Sequence, residues 1–238
     1  MAKLEAAPLY QKVTDVLIGR IGQGQLAPGD ALPSEFELAA ELGVSQGTVR
    51  KALGSLESRR IIERRQGRGT YVAETTPESE LYHFYRLRHA DGSCATPEPG
   101  TELIGERPAT GVERALFEAL RPERVFVINR ARKVAGRIIS CETMILPAEL
   151  VPGLPDHAPL PNALYAFYQE TYGINILRAE EQLAAKAAGN DDARKLGIHP
   201  AAPVLVVERR GFDIADRVVE YRHSRYLTDD LSYRIELS

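Results

Sequence analysis

Between Leu32 and Val72 the chain switches twice between apolar stripes and polar faces at helical spacing. Ser34 followed by Glu37 is a capping box, opening a helix that turns Leu38, Ala39 and Leu42 inward and is stopped by Gly43. Ser45 is placed to cap a second helix, whose Val49, Ala52, Leu53 and Leu56 fall at i, i+3, i+4 and i+7 and form one buried stripe. Upstream, Pro8 to Gly24 reads as a helix with Val13, Val16, Leu17 and Ile21 on one side. Downstream, Ile61 and Ile62 lead into Glu63 to Val72, two short strands around a glycine-rich turn.

The rest of the chain has a different texture. Residues 74–80 are polar, contain a proline and show no periodicity, so they predict a linker between domains spanning 1–73 and 81–238. Leu81–Leu87 predicts a strand, Arg88–Pro99 a loop, and Gly111–Arg121 a helix carrying Val112, Ala115, Leu116, Ala119 and Leu120 inward. Val125–Val134 and Ile138–Leu146, joined at Ala135-Gly136-Arg137, predict a hairpin. Asn162–Tyr172 and Asn190–Leu196 predict helices closed by Gly173 and Gly197, and Ile174–Ala188 a strand. Pro203–Phe212, Val218–Tyr226 and Leu231–Leu237 supply three more strands. Hairpins with helices interposed make an α+β domain built on an antiparallel sheet.

Charge sharpens the picture of the first domain. Overall the chain carries −3, but residues 1–75 hold ten Lys or Arg against nine Asp or Glu, and the remainder is net −4. From Ser45 to Thr70 seven basic residues meet two acids, which points to nucleic acid as the partner of this stretch. The exposed face of the second helix offers Gln46, Gly47, Thr48, Arg50 and Lys51 near its start, where backbone N–H groups and the dipole suit a phosphate or a base edge. The turn Gln66-Gly67-Arg68-Gly69-Thr70 sets an arginine between two glycines, as a tip entering a minor groove would need. The N-terminal stretch lacks the apolar core of a signal peptide and no apolar run is long enough to span a membrane, so a cytoplasmic location is expected. Cys94 and Cys141 lack His or Cys neighbours at ligand spacing, so neither a metal nor a disulfide framework is expected, and no cofactor.

The run PSEFELAAELGVSQGTVRKAL followed by RRQGRGTYV resembles the winged-helix domain of GntR-family bacterial transcription regulators, and the likeness extends from about Pro8 to Val72. It implies a winged helix-turn-helix that contacts DNA through Ser34, Ser45, Gln46, Gly47, Thr48, Arg50 and Lys51, and through Gln66 to Thr70 in the wing. Phe36 and Gln46 depart from the family pattern, which commonly has arginine at both places. Glutamine pairs bidentately with adenine where arginine suits guanine, so the operator is expected to differ from the family's commonest half-site.

The segments RARKVAGRIISCETMILPAELVPGL, NALYAFYQETYGI, LGIHPAAPVLVVERR and VVEYRHSRY, spread over residues 81–238, resemble the UTRA ligand-sensing domain of the HutC subfamily. That domain shares a sheet fold with chorismate lyase and binds a small molecule without converting it. By strand alternation Arg130 and Arg132 share a face with Phe126 and Ile128, Glu142 with Ser140 and Met144, and Glu220 with Val218 and Tyr226. Two guanidiniums beside apolar surface call for an anion. The resemblance implies that Arg130, Arg132, Glu142, Arg178, Glu220 and Tyr226, with Tyr165 from a helix, line an effector pocket. His83, Tyr85 and Ala163 stand where phosphosugar sensors use small hydroxyl side chains, which favours an organic acid or other small anion. The expectation is a ligand-responsive repressor acting as a homodimer on a palindromic operator. A lyase-like enzyme using Glu142 or Glu220 as an acid, and an effector-independent DNA-binding protein, are the alternatives. Residues 81–238 show no nucleophile–base pair, metal cluster or phosphate loop that an enzyme would need.

Overall fold

A computed structural model describes residues 8–235 and, within them, every side chain but those of residues 81–83. The chain separates into two compact units, with the division between Thr75 and Thr76.

The first unit packs helix α1 (Leu9–Gly22) with α2 (Glu35–Leu42) and α3 (Gln46–Ser58), followed by strands β1 (Ile62–Arg65) and β2 (Gly69–Val72). Val13, Leu17, Leu38, Val49, Leu53 and Leu56 interlock as its core. Val16, expected on the inner stripe of α1, is exposed, and Thr14 is buried instead, its hydroxyl donating to the Tyr10 carbonyl at 2.9 Å. Both helix starts are fixed as expected. Ser34 Oγ accepts from the Glu37 N–H while the Glu37 carboxylate accepts from the Ser34 N–H and hydroxyl, and Ser45 Oγ accepts from the Thr48 N–H. Gly43 ends α2 at φ 64°, in the left-handed region that a side chain would strain. Residues 29–32 run beside β2, with the Leu32 N–H donating to the Thr70 carbonyl at 2.8 Å, so the β1–β2 hairpin is tied to the start of α2.

The second unit opens with helix α4 (Pro77–Phe84), where a linker and then a strand were expected. Thr76 and Ser79 form a capping box and Pro77 occupies the first helical turn, so the proline opens a helix instead of marking a linker. Next come β3 (Leu87–Arg88), β4 (Glu98–Pro108), α5 (Gly111–Leu116), β5 (Arg124–Val134), β6 (Arg137–Pro147), α6 (Leu164–Tyr172), β7 (Arg178–Ala187), α7 (Asn190–Leu196), β8 (Pro203–Phe212), β9 (Val218–Tyr226) and β10 (Ser232–Tyr233). β4 was not anticipated, and α5 stops at Leu116, leaving Val112 exposed while Phe117 is buried. The last strand is shorter than expected, and residues 236–238 lie outside the described region.

Six strands form one antiparallel sheet in the order β4-β5-β6-β9-β8-β7. Alternation sends Phe126, Ile128, Met144 and Leu146 to one face, where they pack beneath Leu164, Tyr165 and Tyr168 of α6. Cys141, Val204 and Val206 point the other way and pack against α7. A register shift at Gly211/Phe212 breaks the alternation in β9, so Val219 and Glu220 are both buried while Val218 is only half-buried.

Candidate functional site

The first unit presents α3 and the hairpin tip to solvent. Gln46, Gly47, Arg50 and Lys51 are exposed, as are Gln66, Gly67, Arg68 and Gly69, while Thr48 and Thr70 are half-buried. Ser34 and Ser45 are exposed, but their hydroxyls are engaged in the helix caps. Gly67 and Gly69 take φ of 71° and 121°, and the Tyr71 hydroxyl donates to the Arg68 carbonyl at 3.0 Å, which fixes the turn. The basic surface is less bare than its sequence count implies. Glu35 of α2 accepts from Arg50 Nη2 at 2.8 Å and Nε at 3.0 Å, Arg64 lies 3.3 Å from Glu57, and Arg65 pairs with Glu63 at 2.5 Å while stacking on Tyr71. Lys51 sits over the Tyr10 ring at 4.2 Å. The Arg68 guanidinium at the tip has no partner among the described residues.

In the second unit a cavity of about 190 Å3 opens between the inner face of the sheet, α4 and the start of α6. Arg132, Glu142, Tyr226 and Tyr85, four of the expected residues, line it. Arg209, Arg222, Glu80 and Asn162, which the sequence reading missed, line it too. Arg209 and Arg222 are cross-strand partners on β8 and β9. Arg222 shares a face with Glu220 and Tyr226, so the alternation that picked out Glu220 also picks out Arg222.

The two guanidiniums that seemed to call for an outside anion have internal ones. Arg130 pairs with Glu102 at 2.9 Å and donates to the carbonyls of Leu160 and Pro161. Arg132 lies 3.6 Å from Glu142 and donates to both the side chain and the carbonyl of Asn162. Arg209 is matched by Glu181 at 2.6 Å, and Arg222 by Glu220, which accepts from both Nε and Nη2 at 3.0 Å. Burial, helped by neighbouring Arg132, brings the Arg130 guanidinium down to about 10. For Glu142 burial opposes the charge, but Arg132, Arg222 and Arg130 together hold the carboxyl below its usual value.

Glu80 ties α4 to α6. Helix α6 has no side-chain cap of its own, and Glu80 Oε2 accepts from the Tyr165 and Ala166 N–H groups at 2.9 and 3.0 Å. Burial pushes this carboxyl up, with the two backbone donors working against that. Arg209 Nη2 donates to the Phe84 carbonyl at 2.6 Å, and the Phe84 ring meets Tyr165 edge-on at 4.8 Å.

Other expected residues lie elsewhere. Tyr165 and Glu220 are fully buried beneath the cavity, the phenol donating to Glu220 at 3.1 Å. Arg178 is exposed on edge strand β7, paired with Glu180 and Asp216 and stacked on Phe212. Those partners keep it away from the cavity. The His83 side chain lies outside the described residues. A second, largely apolar hollow of about 350 Å3 includes Leu103, Ala131 and Cys141, and its basic residues Arg130, Lys195 and Arg225 are paired with Glu102, Asp191 and Asp192, so Arg130 borders this hollow and not the first cavity.

A winged helix followed by an antiparallel sheet with a cavity lined by arginines and carboxylates has the build of a transcription regulator with a sensing domain. Residues 9–72 match the bacterial regulatory proteins of the gntR family, and residues 97–232 match the UTRA domain. The chain belongs to the GntR family, in its UTRA-bearing, HutC-like branch. It is similar to the mannosyl-D-glycerate transport/metabolism system repressor MngR of Escherichia coli, 32% identical over 232 residues that cover 96% of this chain and 95% of the relative. A histidine utilization repressor of Pseudomonas putida is 28% identical over 205 residues, 86% of this chain and 82% of that one. The ligand-binding domain of a GntR-family regulator from Bordetella bronchiseptica superposes with a TM-score of 0.59 at 28% identity, covering 66% of this chain and 99% of that one. These relatives are regulators and not enzymes, which removes the lyase-like alternative. Among the described residues no helix is long and apolar enough to cross a membrane, and no group of His, Cys, Asp or Glu could hold a metal ion.

Proposed function

We propose that this chain is a repressor that binds a palindromic operator as a homodimer and changes its hold on DNA when a small anion enters the cavity of the second unit. One winged helix reads too few base pairs for a genomic site, whereas two related by a twofold axis read two half-sites. Gln46, Gly47, Thr48, Arg50 and Lys51 face the major groove, and Arg68 reaches the adjacent minor groove or its phosphates. Glu35 presents Arg50, so this arginine meets DNA pre-oriented.

The observation that carries the sensing half is the cavity wall made by α4. This helix follows directly on the DNA-binding unit in the chain, and Pro77, Glu80 and Phe84 all line the cavity. A ligand there touches the segment through which the two units are joined. It shifts the operator-binding equilibrium to the extent that it favours one placement of α4 over another. The test is an operator titration by fluorescence anisotropy with candidate metabolites added. A change in operator affinity that is lost in Arg132→Met supports the reading. If no metabolite that binds the protein alters operator affinity, the sensing role fails.

A further inference from the structure

The cavity has a polarity of its own. Each arginine at or beside it already has a carboxylate: Arg130 with Glu102, Arg132 with Glu142, Arg209 with Glu181 and Arg222 with Glu220. Glu80 adds one further acid, satisfied by backbone N–H groups. Among the described residues the wall therefore has no surplus positive charge, and a phosphate monoester would bring two unmatched charges where a monocarboxylate brings one and a zwitterionic amino acid none.

Hydrogen-bonding capacity is nevertheless left over, and it is of two kinds. Arg209 directs Nε at Glu181 and Nη2 at the Phe84 carbonyl and also donates to the Tyr165 hydroxyl, while Arg222 directs Nε and Nη2 at Glu220 and its Nη1 has no hydrogen-bond acceptor among the described residues. The two guanidiniums, cross-strand partners that both line the cavity, suit a single carboxylate held across the β8–β9 pair. On the neighbouring strand β6 is an acceptor with capacity to spare: Glu142 is 4% exposed, its Oε1 accepts from the Tyr226 hydroxyl at 3.4 Å, and its Oε2 accepts no hydrogen bond, its cation being Arg132 Nε at 3.6 Å. The Tyr85 hydroxyl is likewise buried with no hydrogen-bond partner. Two buried polar atoms without a hydrogen bond in one cavity leave bonding capacity that a ligand can fill.

We infer that the effector is a small monocarboxylate that also bears a hydroxyl or ammonium donor, the carboxylate meeting Arg209 and Arg222 and the donor meeting Glu142 Oε2 and Tyr85. The inference rests on the cavity being the effector site. Size agrees, since about 190 Å3 lies below the roughly 300–1,000 Å3 of cavities for larger ligands.

The test is a melting-shift and calorimetric titration of the full chain with D-glycerate, L-lactate and L-serine, against propionate, glycerol, glycerol 3-phosphate and inorganic phosphate. At least one of the first three binds, and more tightly than any of the last four. Tyr85→Phe removes a hydroxyl that bonds to nothing in the free protein, so it leaves the melting temperature of the free protein unlowered while weakening that ligand by about fivefold to tenfold. Glu142→Gln weakens L-serine more than the hydroxy acids, because it removes the charge that an ammonium uses. Preferential binding of glycerol 3-phosphate, weakened by Tyr85→Phe, overturns the ligand class and leaves the cavity as the site. A hydroxy or amino acid that binds Tyr85→Phe as well as the wild type overturns the cavity itself. Failure of all three hydroxy and amino acids to bind overturns the class.

Discussion

Glu220 separates a structural role from a ligand-binding one. It is fully buried and accepts three hydrogen bonds, from the Tyr165 hydroxyl at 3.1 Å and from Nε and Nη2 of Arg222, each at 3.0 Å. Glu220→Gln keeps the volume but turns an N–H donor toward a guanidinium that can only donate, and removes the charge opposite it. Leaving a buried guanidinium unpaired costs about 3–5 kcal/mol. Replacing both partners, Glu220→Leu with Arg222→Met, removes the stranded charge and leaves only the Tyr165 hydroxyl without its acceptor, a loss of about 1–3 kcal/mol. The double variant should therefore be more stable than the single one. Urea unfolding followed by tyrosine fluorescence measures this, because the chain has no tryptophan and eight of its ten tyrosines lie beyond residue 75. The two units need not unfold together, so the comparison is made on the transition that carries the tyrosine signal. A Glu220→Gln loss under about 1 kcal/mol, or a double variant less stable than the single, would refute the role of this pair as the brace beneath the cavity.

Two further outcomes follow from local geometry. A Cβ added at Gly100 would lie 2.6 Å from the Ala131 carbonyl oxygen, so Gly100→Ala must push β4 off β5; a loss of about 1–3 kcal/mol in thermal or urea unfolding is expected, and an unchanged midpoint would contradict the register. The Glu113 carboxyl, which caps α5 and pairs with Arg107 at 2.5 Å, is lowered from its usual 4.5 to about 2, chiefly by the Arg107 hydrogen bonds. Its contribution to stability is present in full above about pH 4.5 and is lost as the pH falls toward 2. Stability measured against pH should fall less steeply through that window in Glu113→Gln than in the wild type, and parallel curves would show the pair to be idle.

What could be read from the chain alone follows the range of the interactions involved. Ser34, Glu37, Gly43 and Ser45 act on backbone groups a few residues away, so their spacing states the geometry directly, and the head was legible almost throughout. The exception is Val16, which sits one helical step outside a stripe completed by Thr14, because a threonine can satisfy its hydroxyl within the helix. The sensing unit depends on contacts between distant segments. Arg209 finds Arg222 only through the β8–β9 register, and Glu80 finds the start of α6 across 85 residues. β4 escaped notice because it is an edge strand whose side chains are mostly exposed, which removes the apolar alternation that marks a strand. α4 was hidden by a proline whose meaning depends on whether a helix begins or ends there. Arg178 looked like its neighbours in sequence, yet an edge strand turned it outward to Glu180 and Asp216.

The most direct measurement is selection of duplexes from random sequence by the full chain, followed by anisotropy titrations of the enriched DNA at about 50 and about 200 mM salt. The expected result is an inverted repeat, with half-sites about one helical turn apart. Arg50→Ala and Arg68→Ala should each weaken binding by about 1–3 kcal/mol if a base contact is lost, and Arg68→Ala should lower the salt slope by about one if the contact is to phosphate. No enriched sequence, or an enriched sequence bound equally well by both variants, would contradict the assignment of α3 and the hairpin tip as the DNA-reading surface.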